Sequence, residues 1–438
     1  MNESLIKEYR SFLDSGKTER ECVKETVRLA TKAGYKDLNS VKSVKAGDKV
    51  YFVNRGKSIA LFQIGSDDIA SGMNILGAHI DSPRLDLKMK PLYEKDGIVY
   101  LNTHYYGGIK KYQWVAHPLS IHGVVAMKDG SVKEIVIGES EDDVSLCISD
   151  ILPHIAQEQM KKTASEFIPG EDLDLVVGLT PDEKEKEAGK KAILNILKEK
   201  YGIEEADFLS AELEVVPTGK ARILGLDRSM VLAYGQDDRI CAFTSLKALL
   251  EADASLKRTA CCLLADKEEI GSTGSTGMDS AMLSNITAEL LDKMGIYSEL
   301  TVKRALRNST MLSSDVNSAY DPLHTDLYDK QNSSTLDGGV VFNKYTGSRG
   351  KSGASDANAE FIARLRAKME EKNVKFQMAE MARVDVGGGG TIAKFAAAYG
   401  MEVIDCGVAV LSMHAPWEIT SIKDIESAYE CYKAFLTL

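Results

Sequence analysis

The chain has 438 residues, 44% of them apolar and 27% charged, a composition that can bury a sizeable core and a length that suggests two or three domains. Its formal charge of −11 and pI near 5.3 argue against nucleic acid or an anionic membrane as partner. The start Met1-Asn2-Glu3-Ser4-Leu5-Ile6-Lys7 has no secretory-signal pattern, no stretch nears the roughly 20 apolar residues of a membrane span, and seven scattered cysteines form no C-x-x-C, so a reduced, cytoplasmic protein is expected.

In chain order, residues 1–35 read as helical, with Leu5, Tyr9, Leu13, Val23 and Val27 at helical spacing. From about 50 to 80 the pattern becomes strand-like: Tyr51-Phe52-Val53, Ile59-Ala60-Leu61-Phe62 and Ile75-Leu76-Gly77-Ala78. Between about 92 and 228 short alternating strands with glycine turns appear, such as Ile121 to Ala126 and Val132 to Ile137. A highly charged helix is expected from Pro181 to Lys200, capped by Thr180, its charge read as a solvated face. An αβαβ rhythm resumes near 230, with a helix around Ala242–Leu250, and continues to the end. The economical reading is an α/β catalytic domain, 1–91 plus 229–438, interrupted by a β-rich domain at 92–228.

Five apolar runs end in metal-binding side chains. They lie within Asn74 to Asp81, Leu232 to Arg239, Cys261 to Glu269, Thr310 to Asp315 and Val408 to His414. Short apolar runs are expected to be buried strands of one parallel sheet, whose carboxyl ends form the ligand crevice. Two imidazoles and several carboxylates would then meet in one place. Zinc takes these donors, and a bridging carboxylate holds two ions roughly 3.5–4 Å apart. The candidate ligands are His79, Asp237, Glu269, Asp315 and His414. With Asp237 bridging, His79 and Asp315 complete one ion and Glu269 and His414 the other. Asp81, two residues beyond His79, is placed to fix the imidazole tautomer.

In Glu268-Glu269 one carboxylate can bind metal while its neighbour takes a proton from the attacking water. Peptide hydrolysis needs such a base, because the water loses a proton and the leaving amine gains one. Glu268 is assigned as base and Glu269 as ligand. Singly, each residue has an ordinary reading: Asp315 as a helix N-cap, Asp237-Asp238 as a turn, Glu268-Glu269 as a solvated edge. The metal reading accounts for all five placements together. Gly350-Lys351-Ser352 is no Walker A, since Tyr345 stands where glycine is required. The run Gly387 to Gly390 is read as letting backbone approach a neighbour or substrate closely.

Gly77-Ala78-His79-Ile80-Asp81-Ser82-Pro83-Arg84, Asp266-Lys267-Glu268-Glu269-Ile270-Gly271-Ser272 and Leu411-Ser412-Met413-His414-Ala415-Pro416 together resemble the aspartyl aminopeptidase family of dinuclear zinc exopeptidases. The resemblance covers nearly the whole chain and is strongest outside the middle domain. It implies a phosphorylase/hydrolase-like α/β catalytic domain with an inserted β-rich dimerisation domain. It also implies two Zn2+ per subunit, and Co2+ or Mn2+ suits the same donors. It carries the five ligands and the Glu268 base onto the same positions, favours Asp237 over Asp238 as bridge, and makes Gln236 an unusual neighbour.

The resemblance places His154 where the family's insert reaches a neighbouring subunit's active site, and Lys344 where a lysine receives an acidic side chain. It implies peptide substrates with acidic or neutral first residues, and assembly into dimers and hollow dodecamers. The rival readings are a catalytically silent scaffold, disfavoured because no ligand is lost, and a deacylase acting on non-peptide amides.

Overall fold

Residues 2–140, 142–179, 187–347 and 349–438 are described by a computed structural model. Packing separates two units. One comprises Met1–Asp81, Ala221–Met413 and Glu418–Leu438, and the other Ser82–Lys220 with His414–Trp417. These boundaries differ from the expected 92 and 228. The strand Arg84–Lys95 pairs within the second unit's sheet, whereas Arg222–Leu224 pairs with Met230–Ala233 in the first.

The first unit is built on a nine-stranded mixed sheet. Four central strands, Thr259–Ala265, Met73–His79, Thr310–Ser313 and Glu402–Gly407, run parallel in that order. Alternate residues pack on opposite faces. Leu76, Ala78, Cys262, Leu264 and Leu312 meet the helices Glu3–Ser15, Glu19–Lys32, Gln236–Leu250, Ala359–Glu371 and Ile422–Phe435. Ile75, Cys261, Leu263 and Met311 meet Met282–Lys293, Glu299–Arg307 and Ala393–Ala397. Burial on both faces explains why these strands are continuous apolar runs rather than alternating ones.

The helical start is two helices. The second opens on Thr18, whose side chain accepts from Glu21 N–H while the Glu21 carboxylate accepts from the cap's own N–H.

One sequence expectation is corrected. Of the five runs, only three lie in the parallel sheet. Met230–Ala233 and Ala409–Leu411 belong to a separate five-stranded sheet, each pairing antiparallel with Glu418–Ser421. The N-cap reading of Asp315 also fails, because strand Thr310–Ser313 is followed by the short strand Asn317–Ser318 rather than a helix.

The second unit carries a six-stranded antiparallel sheet that includes Leu119–Ala126 and Val132–Ile137. The charged helix is seen as Ala188–Tyr201; its expected start at Thr180 and Pro181 lies outside the described residues. All seven cysteines are free thiols, six of them buried. Among the described residues no helix is long and apolar enough to cross a membrane.

Candidate metal and catalytic site

The chain emerging from three neighbouring parallel strands delivers His79, Glu268, Glu269 and Asp315 to the carboxyl edge of the sheet, the position where open α/β sheets bind ligands. His79, almost fully buried, is the hub. Its Nδ1 lies 3.0 Å from the Asp81 main-chain carbonyl and 3.4 Å from Asp81 Oδ1. Donation from Nδ1 leaves the Nε2 lone pair facing the carboxylates. Nε2 is 3.2 Å from Asp237 Oδ1 and 3.9 Å from both Asp315 Oδ1 and Glu268 Oε2.

The Asp81 carboxylate has a second use. Oδ1 accepts from Glu268 N–H at 3.1 Å and Oδ2 from Glu269 N–H at 3.2 Å. One buried anion thus holds both the imidazole and the backbone of the two glutamates. A tight turn presents the pair, with Lys267 and Gly271 both at positive φ around the single helical turn Glu268–Ile270. Both glutamates remain half-buried, open enough to meet a ligand.

Asp237 is placed by a different device. Gly235 is left-handed, and Asp237 and Asp238 depart from helical geometry at the start of Gln236–Leu250, with a cis peptide between them. Asp238 Oδ2 accepts from the His79 main-chain N–H at 3.3 Å.

His414 and the three residues after it pack with the second unit. Its Nδ1 lies 2.8 Å from the Gly108 carbonyl, which again leaves Nε2 as the nitrogen able to bind.

Electrostatically the cluster crowds like charges around one imidazole. Burial, then the neighbouring carboxylates of Asp238, Glu268 and Asp237, push the Asp315 carboxyl well above its ordinary range despite His79. Burial likewise pushes up Asp238, opposed by His79 and reinforced by Asp237. Burial alone would lower the His79 pKa, but hydrogen bonds to Asp237 and Asp81 and the Glu268 charge drive it well up. Divalent metal relieves this crowding of like charges. His79 with Asp237 and Asp315, and His79 with Glu268 and Glu269, each offer donor atoms within 4.8 Å of one another. An imidazole among carboxylates is a donor set that zinc accepts.

Among the described residues, two further predicted positions, His154 and Lys344, belong to none of these donor groups. His154 is exposed in the single turn Pro153–Ile155 of the second unit, beside exposed Leu152 and Ile155. Lys344 follows strand Val340–Asn343, and its Nζ pairs with Asp356 Oδ1 at 2.6 Å. The sequence reading passed over Glu418, whose Oε2 accepts from Asp237 N–H at 3.0 Å. No spacing marks that contact, because it arises from the pairing of Ala233 with Glu418 in the smaller sheet.

The model of the family described as Aminopeptidase I zinc metalloprotease (M18) matches residues 12–436. The chain belongs to the M18 family. A probable M18 family aminopeptidase 1 of Clostridium acetobutylicum is 54% identical over 434 residues, covering 98% of this chain and 93% of that protein. An M18-family aminopeptidase crystal structure from Thermotoga maritima superposes with a TM-score of 0.96 at 44% identity, covering 100% of this chain and 98% of that one. The mApe1 dodecamer of S. cerevisiae has a TM-score of 0.78 at 21% identity, covering 98% and 95%; at that identity the likeness shows the fold alone. This M18 protein is thus a mixed α/β protein of several sheets, in a family of zinc-dependent aminopeptidases.

Proposed function

We propose that this M18 protein removes the first residue of short peptides using two Zn2+ ions. His79, Asp237 and Asp315 would hold one ion and Asp237, Glu269 and His414 the other. The observation that carries the reading is the crowding of Asp237, Asp315 and Glu268 around His79 Nε2. When bound, the metal pair supplies Lewis-acid polarisation of the scissile carbonyl and lowers the pKa of water. Glu268 then takes the proton of the attacking water and delivers it to the leaving amine. Asp81 keeps the Glu268 and Glu269 backbone fixed while this proton moves.

The second unit is read as the dimerisation domain, His154 as reaching a neighbouring subunit's site in a dimer or dodecamer, and Lys344 as receiving an acidic first side chain. That last role requires Lys344 to exchange Asp356 for substrate. The test is amino-acid release from a panel of dipeptides with acidic or neutral first residues and their N-acetylated controls, with chelator and with added Zn2+, Mn2+ or Co2+. Metal-dependent cleavage confined to free amino termini is expected. Cleavage of the N-acetylated controls would favour a deacylase. A folded protein inert on every substrate with every metal would overturn the enzyme reading.

A further inference from the structure

Beneath Asp237 lies a buried hydrogen-bond chain that the proton transfer above does not use. The Tyr9 hydroxyl donates to Gln236 Oε1 at 3.0 Å. Gln236 Nε2 donates to the carbonyls of Glu418 at 2.7 Å and Val231 at 3.2 Å. Glu418 Oε2 then accepts from Asp237 N–H at 3.0 Å. Tyr9 and Gln236 are 0% exposed, Glu418 1% and Asp237 3%. Both ends of the Gln236 amide are thereby used, which accounts for a glutamine next to Asp237.

This chain has a local cause. Asp237 has φ −80° and ψ 108°, so its N–H falls outside the regular helical ladder and needs another acceptor in a place water does not reach. A carboxylate acceptor makes that bond charge-assisted and directional. Placing a further anion beside an already acidic cluster is unfavourable, so simple satisfaction of one N–H is a poor explanation for it. The bond instead fixes the peptide that carries the Asp237 side chain, and with it the direction from which Asp237 Oδ1 meets His79 Nε2.

We propose that Glu418 is a positioning residue for Asp237, held in register by Gln236 and, through it, by Tyr9 of the first helix. The proposal rests on the reading of Asp237 as a metal ligand. Removing a group that orients a ligand typically lowers metal affinity about 10–100-fold.

The test is competition between chelator-stripped protein and a chromophoric chelator for Zn2+, with the visible spectrum of the Co2+-loaded protein as a report on ligand geometry. Glu418→Ala should bind at least one ion 10–100-fold more weakly and change the Co2+ spectrum. Glu418→Gln keeps a carbonyl oxygen as acceptor and should restore affinity to within about threefold. Wild-type affinity and spectrum in Glu418→Ala, or a Glu418→Gln variant as defective as the alanine, overturns the proposal. If Glu418→Ala does not fold, Gln236→Met serves, since it removes the amide tether and nearly keeps the volume. An altered Co2+ spectrum in it supports the proposal and an unaltered one overturns it. Wild-type protein that takes up no ion removes the metal reading itself, and this proposal with it.

Discussion

Glu268 and Glu269 are adjacent, yet the proposed chemistry asks different things of them. Their backbone N–H groups are pinned by the two oxygens of one Asp81 carboxylate, so the main chain beneath them cannot shift without breaking a charge-assisted bond. That fixed frame lets one side chain bind metal while the other moves a proton. Glu268→Gln keeps the shape and removes the basicity. It should retain both metals by elemental analysis and lose turnover by about 10²–10⁴-fold. Near-normal turnover would sink the base assignment. Asp81→Ala removes the acceptor for both N–H groups and is expected to weaken metal binding about 10–100-fold, read by chelator competition. Unchanged affinity would show that the imidazole needs only the Asp81 main-chain carbonyl. The pair Asp81–His79 was legible in the sequence as two residues on one side of an extended segment. That the carboxylate also grips the glutamates was not, because the contact spans 187 residues of chain.

At the scale of elements, Asp405 ties three segments. It sits in strand Glu402–Gly407, and its Oδ1 accepts from Ser313 Oγ at 2.9 Å and Thr391 Oγ1 at 2.6 Å. Burial pushes its carboxyl up to about 6 even though those two hydroxyls favour the anion. With the folded pKa above the unfolded one, the folded state binds the proton more tightly, so stability is lost as pH rises from about 4 to about 6. The roughly two-unit difference corresponds to ~3 kcal/mol. Asp405→Asn keeps an acceptor and cannot ionise. Its stability relative to wild type, measured by denaturant unfolding in chelator, should therefore rise by up to ~3 kcal/mol between pH 4 and pH 7. Any pH-independent effect of the amide drops out of that difference. A flat pH dependence would show that Asp405 is solvated in the folded protein.

The elements also mark where sequence pattern runs out. Strands Met73–His79, Thr259–Ala265 and Thr310–Ser313 were readable as continuous apolar runs because both their faces are covered. The runs at Met230–Ala233 and Ala409–Leu411 look the same in sequence, yet they pair antiparallel with Glu418–Ser421. Periodicity reports burial and does not report which neighbour a strand takes. The candidate ligands could be proposed because their chemistry marks them, whereas nothing marks Glu418, which only strand pairing brings to Asp237.

For the whole molecule, the proposed metal site predicts that ion binding and folding are coupled. The chain carries a formal charge of −11, and the first unit concentrates Asp237, Asp238, Asp315 and Glu268 around one imidazole. Folding without a cation must oppose that repulsion, whereas the unfolded chain disperses it. Each ion that binds only the folded state stabilises it by mass action, ~4 kcal/mol when free metal stands at about a thousand times Kd. For a unit of this size that is a shift in Tm of about 8 °C, from a few degrees per kcal/mol. Most helices of the described residues lie in the first unit, so far-ultraviolet circular dichroism follows its melting. Chelation should lower that Tm by about 8 °C for each ion removed, and returning Zn2+ should restore it. The same experiment on a variant with Asp237→Asn and Asp315→Asn separates two causes. If repulsion is what the ions relieve, the stripped variant should melt above the stripped wild type and gain less from Zn2+. A stripped wild type that melts with the loaded protein, with metal loss verified, would mean that the acidic cluster is already neutralised by protonation and needs no ion to fold.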